Sequence, residues 1–229
     1  THSSKWDRME TIYGVSPKDG LSMWVADMDF RSPQVVQDAV QRMVDHGVYG
    51  YYGDFGDYKP SIQWWMKTRH NWEIETDWIF STHGLVNGTA LCVQTWTDPG
   101  DAVILFTPVY YVFAQVIKDA GREVHECPLV NNDGRYEMDL EAAAASLTGK
   151  EKMVVLCSPH NPGGRVWAQE ELRAIADFCV EHDLILVSDE IHHDLVYSGH
   201  NHIPMPMATP DIADRLVMMT APSKLSLIH

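Results

Sequence analysis

Short apolar runs alternate along the chain with segments whose apolar residues recur at helical spacing. The runs 102–106, 153–157 and 184–188 are continuous, as in strands that are buried on both faces. Two further strands are predicted at 123–127 and 215–220. Strands that alternate with helices indicate an α/β fold, and we expect a mostly parallel sheet with helices on both faces.

Helices are predicted where residues typical of helix starts and stops frame an apolar periodicity. Ser32 and Pro33 form a helix start, and Gly47 forms the matching stop. Asp139 is expected to cap an alanine-rich helix, and Gly121 to end the helix before it. The helical patterns cover residues 35–44, 58–70, 84–97, 109–120 and 168–182.

The composition is that of a globular protein with a sizeable core. The 229 residues are 45% hydrophobic and 21% charged. A formal net charge of −15 argues against nucleic acid or an anionic membrane as a partner. No apolar run reaches the length of a membrane span, and residues 1–19 lack a signal-peptide core. The four scattered cysteines are interpreted as buried thiols, so we expect a cytoplasmic protein.

Side chains suited to chemistry follow four of the predicted strands. Tyr110 follows the first strand and Asn161 the third. Asp189 and His192 follow the fourth, and Lys224 follows the last. In an open parallel sheet, ligands bind beyond the carboxyl ends of the strands. These five side chains are therefore expected to converge at one edge of the sheet.

The same residue types suit an aromatic aldehyde that carries a phosphate group. A lysine amine forms a Schiff base with an aldehyde. A carboxylate pairs with a ring nitrogen and keeps it protonated, so that the ring accepts electrons. An asparagine donates to a ring hydroxylate, and a tyrosine stacks on the ring. The glycine-rich stretch 84–88 begins a predicted helix, whose first backbone N–H groups are a ready phosphate site.

Several motifs resemble those of the fold-type I pyridoxal-phosphate enzymes, the aspartate aminotransferase superfamily. They are SPHNPGG at 158–164, SDEIHHD at 188–194 and APSK at 221–224, in this order and at this spacing. Two motifs resemble one branch of this superfamily, the cystathionine β-lyases of the MalY/PatB type, which are C–S lyases. They are MWVADMDF at 23–30 and NPGGRVW at 161–167. The ordered set is specific, whereas each motif alone is weak. The resemblance implies pyridoxal 5′-phosphate as the cofactor.

The resemblance assigns a role to each side chain at the expected edge. Lys224 would form the Schiff base with the cofactor, and Asp189 would pair with the pyridine nitrogen. Asn161 would donate to the phenolic oxygen of the ring, and His192 falls where relatives often place a tyrosine that touches the same oxygen. Tyr110 would stack on the ring, although a core aromatic is an equally good explanation of this residue.

The resemblance also implies residues for the phosphate, the substrate and a second subunit. The backbone at Gly84, Leu85 and Val86 would hold the phosphate together with Ser223; Tyr51 would reach the phosphate of a neighbouring subunit, and Ala26 would line the pocket for the substrate carboxylate. Tyr51 would then imply a homodimer with shared active sites. An ordinary interface or core aromatic explains Tyr51 as well.

The domain organisation follows from the same resemblance. Residues 1–46 would contribute to a small domain, and residues 47–229 would form a large cofactor-binding domain that is incomplete at its C-terminal end. The chain stops shortly after Lys224, directly behind a predicted strand, so we expect either that it is part of a longer gene product or that its end is abnormal. In the family, the portion beyond this point holds the rest of the sheet, most of the small domain and an arginine for the substrate carboxylate.

The expected activity is a pyridoxal-phosphate-dependent C–S β-lyase. It would convert a sulfur amino acid by α,β-elimination into pyruvate, ammonia and a thiol. The nearest alternative is an aminotransferase of class I or II, which uses the same ring-contacting residues. A second alternative is a non-catalytic regulatory relative that retains the cofactor fold.

Other polar residues have simpler interpretations. Glu190 is interpreted as a solvated loop acid, and Asp27 and Asp29 as structural acids. The adjacent histidines 192–193 and the following Asp194 do not have clean metal-ligand spacing, because adjacent side chains point in different directions. We therefore expect no metal site.

Overall fold

The computed structural model describes residues 2–51, 53 and 56–226, with side chains up to residue 224. The described residues fall into two compact units. One joins the segment up to Gly50 with the segment from Pro222, and the other is Tyr51–Ala221. The division into domains 1–46 and 47–229 stays a prediction.

The helices of the described chain are short or of medium length. They are α1 (Ser4–Asp7), α2 (Met9–Tyr13), α3 (Gln34–His46), α4 (Tyr58–His70), α5 (Leu85–Trp96), α6 (Val112–Asp119), α7 (Leu140–Ser146), α8 (Gln169–Glu181), α9 (Met205–Ala208) and α10 (Ser223–Ser226). Two 3-10 helices cover Thr76–Trp78 and Pro210–Arg215. Within the described ranges, we find no helix with the length and apolarity that crossing a membrane requires.

A five-stranded sheet forms the centre of the larger unit, and every neighbouring pair of its strands is parallel. The strands of the chain are β1 (Ala102–Thr107), β2 (Glu123–Pro128), β3 (Val130–Asn132), β4 (Arg135–Glu137), β5 (Glu151–Cys157), β6 (Ile185–Asp189) and β7 (Leu216–Met219). Across the sheet their order is β2-β1-β5-β6-β7. All five predicted strands are confirmed. The antiparallel hairpin of β3 and β4 was not predicted, because its short strands are mostly exposed and carry no apolar run.

Helices cover both faces of this sheet, as predicted. Val103 and Leu105 of β1 pack into a core with residues of α5 and α6. Ile104 and Phe106 point the other way and pack with residues of α7 and α8. Successive residues of a strand face opposite sides, so a strand between two helical layers must be apolar at every position.

The predicted helix stops hold, but two predicted starts are shifted. α3 begins at Gln34, with Pro33 rather than Ser32 at the N-cap position and no side-chain cap. Gly121 follows α6 with φ of 75°, a left-handed conformation that favours glycine. Asp139 caps α7, since its carboxylate accepts the Ala142 N–H at 2.9 Å. α6 begins at Val112 rather than at Val109, and Val109 packs against the core from the connection before the helix.

Glu151 anchors the amino-terminal end of the central strand β5. The Glu151 carboxylate accepts the Thr148 and Gly149 N–H groups, both at 3.0 Å, and the Thr148 hydroxyl at 2.9 Å. His125 Nδ1 lies 2.6 Å from Glu151 Oε1. Burial alone would raise the pKa of Glu151, but these hydrogen bonds lower it to about 2.

His125 also lies 2.9 Å from the Ser146 hydroxyl, which places a serine, a histidine and a glutamate in the order of a hydrolase triad. Ser146 is the last residue of α7, and its hydroxyl donates to the Ala143 carbonyl at 2.8 Å. The C-terminal end of a helix disfavours the negative charge that acyl transfer develops. We therefore interpret this row of residues as a structural anchor.

We expect Glu151→Gln to destabilise the protein by about 3 kcal/mol at pH 7, because the folded state then loses a carboxylate with a lowered pKa. A lowered pKa contributes stability above the ordinary carboxyl pKa and loses it as pH falls towards 2. The difference from wild type, measured by urea unfolding, should therefore shrink by about half between pH 6 and pH 3. The control is Glu126→Gln at an exposed position of β2. A difference that does not change with pH would contradict this account.

Candidate active site

The order of the strands reverses at the centre of the sheet. β2 lies on one side of β1, whereas β5, β6 and β7 lie on the other. Such a reversal opens a crevice beyond the carboxyl ends of the strands, where ligands of open α/β sheets bind. Tyr110 lies shortly beyond the end of β1, Asn161 shortly beyond β5, and Asp189 is the last residue of β6. The larger unit thus brings these three predicted site residues to one edge.

Asp189 is a buried carboxylate with a fixed backbone. Asp189 is only 5% exposed, and its Oδ1 accepts the Ile191 N–H at 3.1 Å. Its carbonyl accepts the Ser158 N–H at 2.9 Å, which joins the ends of β5 and β6. Burial, and then the negative charge of Asp189, raise the pKa of Cys157 to about 12. The charge therefore acts inside the protein rather than in solvent.

Tyr110 is half-buried and packed against other aromatic rings. Its ring meets Phe113 edge-on at a centroid distance of 5.4 Å and Tyr111 at 5.5 Å. Burial, followed by the charges of Tyr111 and Asp189, raises the pKa of Tyr110. Tyr110 is thus an immobilised aromatic ring within the electric field of Asp189, as a stacking role requires.

Asn161 stands in a loop that is braced on both sides. Its N–H donates to Cys157 Sγ at 3.3 Å. The His160 N–H donates to the Arg165 carbonyl at 2.7 Å, and the Gly164 N–H donates to the His160 carbonyl at 2.8 Å. This bracing fixes the backbone that carries the Asn161 side chain.

Gly163 closes this loop where another residue would not fit. A Cβ at Gly163 would lie 2.7 Å from His160 Nδ1 and 3.0 Å from Tyr136 Cδ2. Burial lowers the pKa of His160 to about 4, so a neutral imidazole accepts the Gly163 N–H at its Nδ1, at 3.2 Å. The sequence Asn-Pro-Gly-Gly therefore has a packing reason as well as a turn preference.

His192 and Glu190 follow Asp189 in a turn, and here one expectation was wrong. His192 is half-buried, and its carbonyl accepts the Leu195 N–H at 2.9 Å. Glu190, which was interpreted as a solvated loop acid, is fully buried. It accepts the Ser188 hydroxyl and the Met205 N–H, both at 2.9 Å, and its Oε2 lies 2.6 Å from a histidine, His202 Nε2. A buried carboxylate needs such partners, and the distant histidine gave no local signal in the sequence.

His70, His193 and Asp194 offer ligand atoms within 4.8 Å of one another, as a metal site would. The two imidazole rings, however, are stacked at a centroid distance of 4.6 Å with planes 19° apart. Lone pairs that lie in nearly parallel planes do not converge on one ion. Asp194 instead lies 3.0 Å from His193 Nε2, 3.6 Å from His70 Nε2, and accepts the Trp65 N–H at 2.9 Å. The geometry fits a shared carboxylate, and the absence of a metal site stays a prediction.

The start of α5 has the form expected of an anion site. Gly84 precedes the helix with φ of 82°, in the region that favours glycine, and no heavy atom lies within 4 Å of the place where its Cβ would be. Leu85 and Val86 open a helix that extends to Trp96, and the first N–H groups of a helix have no partner within it. A Cβ at Gly88, one turn on, would lie 3.2 Å from Met219 Sδ.

The remaining predicted residues are Tyr51 in the larger unit and Ala26, Ser223 and Lys224 in the smaller unit. Tyr51 is fully exposed in the larger unit. Ser223 and Lys224 begin α10 in the smaller unit, where Lys224 Nζ donates to the Ala26 carbonyl at 3.4 Å. The smaller unit therefore brings the predicted Schiff-base lysine and the predicted substrate-pocket residue together.

Comparison with known proteins gives a consistent result. The family model described as "Aminotransferase class I and II" matches residues 18–224. Cystathionine beta-lyase PatB of Bacillus subtilis is 40% identical over 225 residues, which are 98% of this chain and 58% of that protein. Protein MalY of Escherichia coli is 31% identical over 206 residues, covering 89% of this chain and 52% of that protein.

A solved structure shows the same likeness in three dimensions. Cystalysin from Treponema denticola, whose crystal structure contains a pyridoxal 5′-phosphate cofactor, matches with a TM-score of 0.91 and 40% identity. The match covers 99% of this chain and 58% of cystalysin. The chain thus spans little more than half the length of the relatives it matches.

We expect His202→Ala to lower the free energy of unfolding by about 3–5 kcal/mol, because it leaves the buried Glu190 carboxylate without its histidine partner. Urea unfolding followed by tryptophan fluorescence measures the change. The matched control is His200→Ala, an exposed histidine of the same loop, which should change stability by less than about 0.5 kcal/mol. Equal effects of the two substitutions would show that the Glu190–His202 pair carries no special stability.

Proposed function

This chain belongs to the aminotransferase class I and II family, and we propose that it works as a pyridoxal-phosphate-dependent C–S β-lyase. The substrate would be a sulfur-containing amino acid, and the products pyruvate, ammonia and a thiol. The observation that carries the proposal is the meeting of Tyr110, Asn161 and Asp189 at the carboxyl ends of three adjacent parallel strands. The lyase branch is favoured by the similarity to Cystathionine beta-lyase PatB.

The residues present fit the cofactor by the chemistry of their side chains. A buried carboxylate such as Asp189 suits a protonated ring nitrogen, and an immobilised ring such as Tyr110 suits stacking. Asn161 and His192 would contact the phenolic oxygen. The helix α5 begins at Leu85, directly after Gly84, and its first backbone N–H groups suit the phosphate.

Two further residues complete the proposed phosphate and aldehyde contacts. Ser223 would add its hydroxyl to the phosphate, and Lys224 would supply the amine that holds the aldehyde carbon. When bound, pyridoxal phosphate supplies an electron sink for the electrons of the substrate α-carbon. All other steps fall to the side chains of the chain.

The proton movements follow from two of these side chains. Asp189 would keep a proton on the ring nitrogen, because its negative charge is buried and little screened by water. The Lys224 amine, freed when the substrate amino group replaces it, would take the proton from the substrate α-carbon, and the β-sulfur would leave as a thiolate. Water would then convert the remaining enamine into pyruvate and ammonia. The pocket at Ala26 would orient the substrate by binding the substrate carboxylate.

The partner and location are part of the proposal. We propose a homodimer in which Tyr51 reaches the phosphate of the neighbouring subunit, and full exposure of Tyr51 supports this. We also propose a cytoplasmic location, because the four cysteines are buried free thiols that a reducing compartment preserves.

An aminotransferase is the second candidate, since the matched family model carries that description. The ring-contacting residues serve both reactions, and the fate of the electrons at the α-carbon separates them. A non-catalytic relative that keeps the cofactor fold would bind the cofactor without turnover.

The test follows pyruvate formation by the product of the complete gene, given pyridoxal phosphate and L-cystathionine but no keto acid. We expect sustained pyruvate release with a thiol in equal amount. Lys224→Ala should abolish it, because no other amine takes the α-proton, whereas Lys118→Ala at an exposed position of α6 should not. Amino transfer that needs a keto acid would assign the aminotransferase instead. Bound cofactor with neither reaction would assign the non-catalytic relative.

A further inference from the structure

Lys5 is a lysine that the fold buries near the start of the chain. It belongs to the short helix α1 and is only 7% exposed. Lysines are almost never fully buried unless they are paired, because removing an ammonium group from water is costly. The partners of Lys5 therefore indicate why it is there.

The ammonium group of Lys5 holds the segment 22–29 from one side. It donates to the Asp27 carbonyl at 2.7 Å and to Asp29 Oδ2 at 2.8 Å. The three donors of an ammonium group can serve a carbonyl and a carboxylate together, and Asp29 balances the charge.

The backbone carbonyl of Lys5 holds the same segment from the other side. It accepts the Ser22 hydroxyl at 2.8 Å and the Trp24 indole N–H at 3.0 Å. One residue thus fixes the chain both before and after Ala26. The Asp29 carboxylate takes part in this arrangement, whereas Asp27 takes part through its backbone carbonyl. That both are structural acids stays a prediction.

The fixed segment presents two consecutive carbonyl groups to two lysines. The Ala26 carbonyl accepts Lys224 Nζ at 3.4 Å, and the next carbonyl, of Asp27, accepts Lys5 Nζ at 2.7 Å. The Ala26 and Asp27 carbonyls belong to consecutive planar peptide units that are joined at the Asp27 α-carbon. Because Lys5 holds the Asp27 carbonyl on one side of Ala26 and the Ser22 and Trp24 side chains on the other, it restricts where the Ala26 backbone lies.

We propose that Lys5 is a positioning residue, which sets the backbone at Ala26 for the carboxylate of an α-amino acid substrate. This inference rests on the proposed function, in which Ala26 lines the pocket for that carboxylate. Lys5 itself contacts Asp27, Asp29, Ser22 and Trp24 and acts through them.

The test compares Lys5→Met with wild type in the full-length holoprotein. Methionine keeps an unbranched apolar stem but has no donor for Asp27 or Asp29. We expect KM for L-cystathionine to rise about tenfold or more while kcat stays within about twofold. The substitution weakens a contact that the substrate makes equally in the ground state and in the transition state, so binding is affected and the chemical step is not. The absorption of bound cofactor should not change.

Two controls separate positioning from general damage. Lys18→Met, at an exposed position of the same unit, should leave KM unchanged. Asp29→Asn weakens the contact with the ammonium group without removing it, so it should raise KM in the same direction by a smaller factor. This second variant also serves if Lys5→Met fails to fold.

Two readouts do not need catalysis and decide the matter even if no pyruvate is formed. Hydrogen exchange should become faster over residues 22–29 in Lys5→Met, and the affinity for L-alanine, followed by the change in cofactor absorption, should fall about tenfold. A folded Lys5→Met with unchanged exchange and unchanged amino-acid affinity overturns the inference. Loss of kcat and of cofactor absorption together also overturns it, because Lys5 would then support the cofactor and not the substrate.

Discussion

The structure depends on one constraint, that a parallel sheet buried on both faces ends its strands at a common edge. β1, β5 and β6 are apolar through their middle, so their polar side chains lie near the ends of the strands. Since all three strands are parallel, their carboxyl ends meet at one edge. Chemistry in this fold is therefore confined to the loops after the strands, and Asp189, as the last residue of β6, stands at that border.

Buried polar groups that pair with one another hold the loops at this edge. Glu190 is paired with His202, and Asp194 lies 3.0 Å from His193 and 3.6 Å from His70, where Asp194 Oδ1 and His70 Nε2 make no hydrogen bond. Each charge would be costly alone, so the networks are maintained or lost as a whole. The contacts of Glu190 hold the turn that follows Asp189. In the smaller unit, Lys5 holds the segment that contains Ala26.

How much the sequence predicts depends on how local the signal is. The strand β5 could be read from its residues alone, because burial on both faces requires an unbroken apolar run. The short hairpin of β3 and β4 has no such run. Glu190 can be buried because it pairs with His202, and Lys5 because it contacts Asp27 and Asp29. In each case the partner lies 12 or more residues away along the chain. Pairings of this kind arise from tertiary folding and leave no periodic pattern.

We propose that Lys224, the lysine after β7, carries the cofactor. Reduction of the cofactor-loaded protein with borohydride would fix the cofactor to the amine that holds it, and peptide mass mapping would then locate that amine. We predict a single modified residue, Lys224, and loss of the modification in Lys224→Ala. Modification of another lysine, or of several in similar amounts, would contradict the assignment of this site.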